Sequence, residues 1–275
     1  MSKAMQLEGR TAVITGAASG IGRGIAIALA RRHCHLALAD VNETGLAETA
    51  ELIAAPDLRV SCHRLDVADA EAVAHFPEVV RASHPGVVLL FNNAGVALGG
   101  TFEQVSAADF EWLFEINFWG VVRITRAFLP LLQASDDARL VNLSSVYGLI
   151  GPPGEVPYAA SKFAVRGFSE ALRHEFELAG SSVGVTVVHP GGVATAIADN
   201  ARPPAGATAE QIAEGRAAAN KLLRLSPEIA GETIVRGVER RQPRVLVGSD
   251  ARLIALLVRL APVSYLRLLA WFVPR

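Results

Sequence analysis

The sequence predicts an α/β protein: a doubly wound, seven-stranded, mainly parallel sheet with helices on both faces. Short apolar and β-branched runs alternate with longer stretches of helical periodicity along most of the chain. Most of these runs are apolar at successive positions, as expected of parallel strands that need cover on both faces. Glycines directly follow the first run. The predicted strands are 10–15, 36–39, 59–65, 86–91, 139–145, 183–188 and 244–247.

Composition narrows the class of protein. The chain has 275 residues, of which 51% are apolar, so it can bury a large core. A net charge of −1 without a Lys/Arg block argues against a nucleic-acid partner. Cys34 and Cys62 lack the spacing of a zinc site, so we expect no metal and a reduced, cytoplasmic protein. The first residues carry no apolar signal segment, and no apolar run approaches the ~18 residues of a membrane-spanning helix.

The first strand leads into a glycine turn and then a helical stretch at 25–32. Gly16, Gly20 and Gly22 let the backbone approach a ligand, and a helix N-terminus offers free N–H groups to a phosphate. Tight packing without a ligand is the alternative. Asp40 ends the second strand, 24 residues after Gly16, close to the offset at which an acidic residue binds a ribose diol. Together these features favour a dinucleotide site.

The glycine spacing in 15–22 is T-G-x-x-x-G-x-G, and with it the chain resembles the short-chain dehydrogenase/reductase family over residues 8–248. The resemblance implies a Rossmann-type fold in a single catalytic domain, 1–250, with a substrate lid at about 196–225. Asp40 then favours NAD(H) over NADP(H), because its carboxylate would repel a 2′-phosphate. Arg23 is the nearby cation that could argue otherwise, and we expect it to be solvated.

Further segments match the family at predicted strand ends. Asp66-Val67 would lie at the adenine, although Asp66 could instead cap the next helix, as could Asp69. The N-N-A-G segment at 92–95 would border the ribose, and the P-G-x-V-x-T turn at 190–195 would hold the nicotinamide carboxamide. The cofactor-binding residues implied by the resemblance are Gly16, Ser19, Gly20, Ile21, Gly22, Asp40, Asp66, Val67, Asn93, Ala94, Gly95, Tyr158, Lys162, Pro190, Gly191, Val193 and Thr195.

Tyr158 and Lys162 are candidates for proton transfer. On a helix they lie at positions i and i+4, one turn apart on one face. A cation near a phenol favours the phenolate and lowers the phenol's pKa from about 10. We therefore predict that Lys162 lowers the pKa of Tyr158, which would let this tyrosine act as a general acid or base at neutral pH.

The resemblance completes this pair to a catalytic set of Asn117, Ser145, Tyr158 and Lys162. Ser145, rather than Ser144, has the family's distance of thirteen residues to Tyr158. The family places its catalytic asparagine at a helix kink, where freed backbone binds a relay water. A buried amide that only satisfies its neighbours is the alternative for Asn117. His189 is expected to be a packed side chain rather than a catalytic one.

The predicted function is hydride transfer between NAD(H) and a hydrophobic secondary alcohol or ketone. Leu98, Val146, Tyr147 and Ile150 would flank the reacting carbon in the family layout, which predicts an apolar pocket. An NADP(H)-dependent carbonyl reductase is the enzyme alternative. An inactive dinucleotide-binding sensor or scaffold is the alternative from another class, although it predicts loss of a catalytic residue and none is missing.

Residues 251–275 extend beyond the family core. They are apolar, punctuated by arginines and divided by Pro262 into two predicted short helices. Three interpretations stay open: packing on a neighbouring subunit, cover for the chain's own substrate pocket, or peripheral membrane contact through Trp271, Phe272 and the arginines. The resemblance also implies a homodimer or homotetramer.

Overall fold

A computed structural model of the chain describes residues 4–84 and 86–269, and seven strands of that range form one parallel sheet. The predicted sheet is confirmed, and every strand pair in it is parallel. The strand order is β3-β2-β1-β4-β5-β6-β7. The strands are β1 (Thr11–Thr15), β2 (His35–Asp40), β3 (Val60–Arg64), β4 (Val87–Asn92), β5 (Ala138–Leu143), β6 (Val183–Pro190) and β7 (Arg244–Val247).

Helices connect successive strands and cover both faces of the sheet. They are α1 (Gly20–Ala30), α2 (Glu43–Leu52), α3 (Ala70–Ser83), α4 (Ala107–Phe114), α5 (Gly120–Gln133), α6 (Val156–Leu178), α7 (Ala209–Asn220), α8 (Pro227–Glu239), α9 (Ser249–Leu260) and α10 (Tyr265–Leu269). A π-helical turn, Glu115–Trp119, joins α4 to α5, and a 3₁₀ turn, Val146–Gly148, follows β5.

The strand order positions the candidate site. The chain winds outward from β1 to β3, then crosses back to place β4 on the other side of β1. In such sheets the crevice at the reversal lies at the carboxyl ends of the strands and is the usual ligand site. The glycine turn after β1, Asp40 of β2, the N-N-A-G segment after β4 and the two serines after β5 all fall on this edge.

Each face of the sheet carries its own apolar core. On one face α1 and α8 cross closely, because an added Cβ at Gly24 would overlap the carbonyl of Pro227 and one at Gly231 would overlap the backbone of Gly24. On the other face α3, α5 and α6 pack over β4 and β5, with Phe128 and Leu90 completely buried. The double cover explains why most strands are apolar at successive positions.

Several helix ends differ from the sequence prediction. α1 begins at Gly20 rather than at residue 25, because the last glycines of the turn already form its first turn. The π turn separates α4 from α5, and α5 continues through Pro130 to Gln133. Proline removes one backbone bond, and near a helix end that loss is tolerated because only the last turn follows.

The tail packs on its own chain. Ala251 at the start of α9 is buried, and the N–H of Gly151 donates to the Tyr265 hydroxyl at 3.0 Å. The described part of the tail therefore contacts the loop that leads from the 3₁₀ turn to α6. Trp271 and Phe272, on which the membrane interpretation depends, lie outside the described residues. No helix within the described range is long and apolar enough to span a membrane.

Candidate active site

The glycine turn brings the backbone of β1 against the segment after β4. Gly16 adopts φ +67°, and a Cβ there would lie 2.8 Å from both Ala94 Cα and Asn93 Nδ2. A Cβ at Gly22 would overlap the carbonyl of Gly16. Ser19 begins α1 without a side-chain cap, so first-turn N–H groups remain available to an anion. The turn has the close approach and free donors that a pyrophosphate requires.

Asn93 and Thr15 tie the ends of β1 and β4 together. Asn93 Nδ2 donates to the carbonyls of Thr15 and Gly16 at 3.0 and 2.9 Å. The Thr15 hydroxyl accepts from the N–H groups of Asn93 and Ala94 and donates to the Phe91 carbonyl. Asn93 therefore stabilises the ends of the two strands, and its predicted contact with the cofactor stays a prediction. Thr15 was missed, although its place directly before Gly16 was a signal.

Asp40 lies beside the glycine turn, as the offset predicts. Its carboxylate accepts from the N–H groups of Ala18 and Asn42, both at 3.0 Å. The expectation of a solvated Arg23 is wrong. Its guanidinium donates to Glu48 at 2.8 Å, to Thr49 at 2.9 Å and to backbone carbonyls, because α2 packs beside α1 and supplies these acceptors.

The two interpretations of Asp66 are separated by the start of α3. Asp69 caps that helix, since its carboxylate accepts from the N–H groups of Glu71 and Ala72, both at 3.0 Å. Asp66 instead accepts from the Ala68 N–H at 2.9 Å, just after the carboxyl end of β3. Asp66 therefore does not cap α3, and its contact with the adenine stays a prediction.

The structure brings Ser145, Tyr158 and Lys162 together. The Ser145 hydroxyl acts on the Tyr158 phenol and favours its ionised form, which lowers the pKa of Tyr158. Lys162 Nζ lies 5.5 Å from the centroid of the Tyr158 ring and donates to the Leu143 carbonyl at 3.2 Å. One turn of α6 thus places the phenol and the ammonium group together, while the end of β5 supplies the serine.

Burial dominates the electrostatics of this group. It raises the pKa of the Tyr158 phenol above its usual value, against the opposing effect of the Ser145 hydroxyl. It also lowers the pKa of Lys162 to about 8. The prediction that Lys162 lowers the tyrosine pKa is therefore wrong for this arrangement. The reason is geometric: the ammonium lies beside the ring and bonds a carbonyl, and desolvation of both groups outweighs their interaction.

Ser144 and Ser145 have different environments. Ser144 is buried, and its hydroxyl donates to the Lys162 carbonyl at 2.8 Å. Ser145 Oγ accepts from the Tyr147 N–H at 3.1 Å and faces Tyr158. The serine chosen from the thirteen-residue spacing is thus the one beside the phenol, and Ser144 fastens α6 to β5.

Asn117 is buried within the π turn, where the Gly120 N–H donates five residues back to Glu115. Its amide pairs with both backbone groups of Val96, at 2.8 and 2.9 Å, and holds the segment after Gly95. The buried-amide interpretation therefore describes the side chain, while the broken helical ladder supplies the predicted kink. A relay through this residue would use its backbone, and that role stays a prediction.

The P-G-x-V-x-T turn faces the glycine turn. A Cβ at Gly20 would lie 2.9 Å from Thr195 Cγ2. Asp250, at the start of α9, accepts from the Gly192 N–H at 2.7 Å and so holds the turn against α9. No local sequence pattern predicts this contact, because Asp250 lies 58 residues farther along the chain.

His189 is a packed residue, as predicted. Its Nδ1–H donates to the Ser145 carbonyl at 2.8 Å, and its side chain is completely buried. Burial lowers the pKa of His189 to about 4, so the imidazole is neutral at physiological pH. Its hydrogen bond holds the backbone at Ser145 in place.

The predicted pocket wall is apolar with one exception. Leu98, Val146 and Ile150 are buried, and the ring of Tyr147 meets that of Tyr158 edge-on at 5.9 Å. Glu155, three residues before Tyr158, was missed. Its charge acts on both phenols, and its own burial raises the pKa of its carboxyl group to about 7.

Comparison with known proteins agrees with this architecture. The family model described as short chain dehydrogenase matches residues 10–206. The chain belongs to the short-chain dehydrogenase/reductase family. SadH of Mycobacterium tuberculosis, named as an oxidoreductase, is 46% identical over 263 residues, covering 96% of this chain and 95% of that protein. The protein is accordingly an oxidoreductase of this family with a nucleotide-binding Rossmann fold.

Solved relatives extend the comparison. A short-chain dehydrogenase/reductase from Burkholderia phymatum in complex with NAD superposes with a TM-score of 0.85 at 34% identity, covering 93% of this chain and 94% of that one. An alcohol dehydrogenase from the archaeon Thermococcus sibiricus complexed with 5-hydroxy-NADP superposes with a TM-score of 0.71 at 28% identity, covering 87% of this chain and 94% of that one. Relatives of this fold thus bind NAD or NADP.

Proposed function

We propose that the protein is an NAD(H)-dependent oxidoreductase that interconverts hydrophobic secondary alcohols and ketones. The observation that carries the proposal is the cluster of Ser145, Tyr158 and Lys162, in which the Lys162 ammonium group lies 5.5 Å from the centroid of the Tyr158 ring, at the sheet edge that also holds the glycine turn. The apolar wall formed by Leu98, Val146 and Ile150 supports a hydrophobic substrate.

Each side chain has a distinct task in this proposal. When bound, the nicotinamide supplies the two-electron redox chemistry. Tyr158, whose buried phenol keeps its proton, gives it to the ketone oxygen during reduction and takes it back during oxidation. Ser145 donates a hydrogen bond to the same oxygen and stabilises the negative charge that develops there.

Lys162 and Asn117 support the proton transfer. Lys162 stays largely protonated near neutral pH, since its pKa is about 8, and so keeps a positive charge beside the ring of Tyr158. Asn117 fixes the backbone of Val96 and so shapes the wall next to Gly95. A Cβ at Gly95 would lie 3.1 Å from Asn117 Oδ1 and 3.5 Å from Lys162 Nζ, so a side chain there would crowd Asn117.

The preference for NAD(H) rests on the charges near the ribose position. Asp40 ends β2 beside Ala18 and would repel a 2′-phosphate. Arg23, the cation that could bind one, is already held by Glu48 and Thr49. Arg23 could bind a 2′-phosphate only by breaking these bonds, which further favours NAD(H) over NADP(H).

The proposal includes a substrate lid and an oligomer. Residues 196–225 contain α7, none of whose side chains is buried, and Arg202 anchors the segment through an ion pair with Asp109 at 2.9 Å. Trp119, directly before α5, and Phe163 of α6 are 46% and 41% exposed, as expected of an interface in a homodimer or homotetramer. Light scattering of the purified protein measures the oligomeric state.

Cofactor-dependent oxidation of an alcohol panel tests the proposal. We expect NAD⁺ reduction with lipophilic secondary alcohols of the steroid, retinoid, terpenoid or aryl type, and a higher kcat/KM with NAD⁺ than with NADP⁺. Activity confined to small charged hydroxy acids would contradict the apolar pocket. A strong NADP⁺ preference would favour the carbonyl-reductase alternative, and nucleotide binding without any turnover would favour the scaffold.

A further inference from the structure

The tail formed by α9, α10 and the turn between them exposes large apolar side chains to solvent. Within the described part of the tail these side chains are Leu253, Leu256, Leu260, Val263, Leu266 and Leu268. The side chain in the turn, Val263, is 92% exposed. Single exposed apolar residues are normal on a folded protein, whereas several within one short segment mark an interaction surface.

The spacing along α9 places its exposed leucines on one face. Leu253, Leu256 and Leu260 follow one another at steps of three and four residues, which is the spacing along one side of an α-helix. Arg252 and Arg259 are also exposed, and the same helical geometry places them along one border of the leucines. The other side of α9 contacts β7 and the 3₁₀ turn, so the leucine face is turned away from the body of the protein.

The tail is cationic as well as apolar. Residues 251–275 contain four arginines and neither aspartate nor glutamate, and because the whole chain has a net charge of −1, the remainder of the chain is net negative. Arg252, Arg259 and Arg267 are exposed, and within the described residues their side chains form no ion pair or hydrogen bond. Their guanidinium groups are therefore available to a partner. These three arginines and the six exposed apolar side chains form the tail surface.

We propose that the tail surface docks the protein on an anionic lipid bilayer, with its apolar side chains among the acyl chains and its arginines at the phosphate groups. A bilayer offers these two chemistries at adjacent depths. An arginine side chain suits this boundary, because its aliphatic stem covers apolar surface while its charged end stays at the headgroups. The net negative remainder of the chain is repelled by the same lipids, which orients the tail toward the bilayer.

A second copy of this chain is a poorer occupant of the tail surface. If two tail surfaces met about a twofold axis, each would present the same arginines to the other, with no acidic residue of 251–275 to pair with them. Like charges brought together out of water oppose such a contact. An acidic protein surface would pair with the arginines but would not take up the six apolar side chains, whereas a bilayer does both.

The tail is also fastened to segments of the candidate active site. Asp250 in the first turn of α9 accepts from the Gly192 N–H, and the Tyr265 hydroxyl of α10 accepts from the Gly151 N–H. A protein docked through the tail surface therefore holds these segments close to the bilayer, where lipophilic alcohols concentrate. Only this link to the substrate rests on the proposed function, and the docking itself does not.

Vesicle sedimentation of the full chain, without cofactor or substrate, tests the inference. Vesicles of phosphatidylcholine are compared with vesicles of an equimolar mixture of phosphatidylcholine and phosphatidylglycerol. We expect the partition coefficient to be at least about tenfold higher on the anionic vesicles and to fall as salt is added. Arg252→Gln combined with Arg259→Gln should lower it there by about tenfold or more, since each arginine near the surface contributes about a factor of five. Leu256→Gln combined with Leu260→Gln should also lower it by at least about tenfold.

Matched controls make the same changes outside the tail surface. Leu52 and Leu178 are 63% and 90% exposed on α2 and α6, and Leu52→Gln combined with Leu178→Gln should keep native binding. Arg81 and Arg240 are exposed at the ends of α3 and α8, and Arg81→Gln combined with Arg240→Gln removes the same charge. This variant should also bind as the native protein does. An unchanged melting temperature in each variant shows that the fold is retained.

Three results would overturn the inference. The first is native protein that does not sediment with the anionic vesicles, or sediments equally with both kinds. The second is native binding by the tail variants, or equal losses in the tail variants and their controls. The third is self-association without vesicles, seen by light scattering and abolished by Leu256→Gln combined with Leu260→Gln, which would assign the tail surface to a second copy. Because sedimentation needs no turnover, a protein that oxidises no alcohol would contradict the proposed function alone.

Discussion

Tyr158 is the residue on which the proposed chemistry depends most directly. Replacement by phenylalanine removes the hydroxyl while keeping the ring that packs against Tyr147. We expect Tyr158→Phe to lower kcat by about 10²- to 10⁴-fold, the usual contribution of a general acid–base group. NADH binding, measured by fluorescence titration, should change little. Wild-type turnover in this variant would show that the proton passes through another group.

Ser144 and Ser145 form a natural matched pair, because adjacent hydroxyls have different partners. Ser145→Ala should lower kcat by roughly 10²-fold or more, since it removes the donor to the substrate oxygen. Ser144→Ala should retain most turnover and instead lower the free energy of unfolding by about 1 kcal/mol, because it loses a buried bond to the Lys162 carbonyl. Urea titration and steady-state kinetics on both variants check this. The opposite pattern would assign the chemistry to Ser144.

At the scale of elements, the crossing of α1 and α8 depends on glycine. A methyl group at Gly24 would overlap the carbonyl of Pro227 in the backbone of α8, which cannot move without displacing the helix. We expect Gly24→Ala to lower the free energy of unfolding by about 2–3 kcal/mol. Gly167 of α6 is the control, because open space surrounds it, and Gly167→Ala should raise stability by up to about 1 kcal/mol. Equal effects in urea denaturation would contradict the close crossing.

The contact between the tail and the loop before α6 is a second property of elements. Tyr265→Phe removes the acceptor of the Gly151 N–H and loosens the segment that carries Val146 and Ile150 into the pocket. We expect KM for a lipophilic alcohol to rise about 2- to 10-fold, the scale of one neutral hydrogen bond, with kcat nearly unchanged. An unchanged KM would show that the tail does not shape the pocket.

The pH dependence of stability belongs to the whole molecule, because groups in separate regions oppose one another. Burial lowers the pKa of His84 and of His189 to about 4, so as pH falls below about 6.5 the unfolded chain takes up protons that the folded chain refuses. Each histidine then lowers the free energy of unfolding by about 1–2 kcal/mol between pH 6.5 and 5. His63, whose pKa burial also lowers, acts in the same direction.

Glu155 acts in the opposite direction. Its folded pKa of about 7 lies above the ordinary value of 4.5, so the folded protein binds a proton first as pH falls, and stability rises through that window. We expect the free energy of unfolding of native protein to fall between pH 6.5 and 5, and that of Glu155→Gln to fall more steeply. Urea titrations across this range measure both slopes. Equal slopes would show that Glu155 does not titrate near pH 7 in the folded state.

Local sequence determined the fold class and the location of the site. Apolar periodicity defines the strands and helices within a few residues, and parallel winding brings their carboxyl ends to one edge. The glycine turn, Asp40 and the Tyr158–Lys162 pair follow from these local patterns, whereas Ser145 was identified through the resemblance to the family, by its distance to Tyr158. Each depends on neighbours within one or two elements.

Only the tertiary structure determined which side chains pair with each other and how burial shifts their pKa values. Arg23 is held by α2, the pKa of Tyr158 is raised rather than lowered, and burial raises the pKa of the Glu155 carboxyl group to about 7. These outcomes depend on side chains from elements that meet only after folding, and on how much water each group retains. A residue's type and position along the chain specify neither quantity. The sequence by itself thus predicts where the site lies, whereas the fold determines the charge and polarity of the side chains in that site.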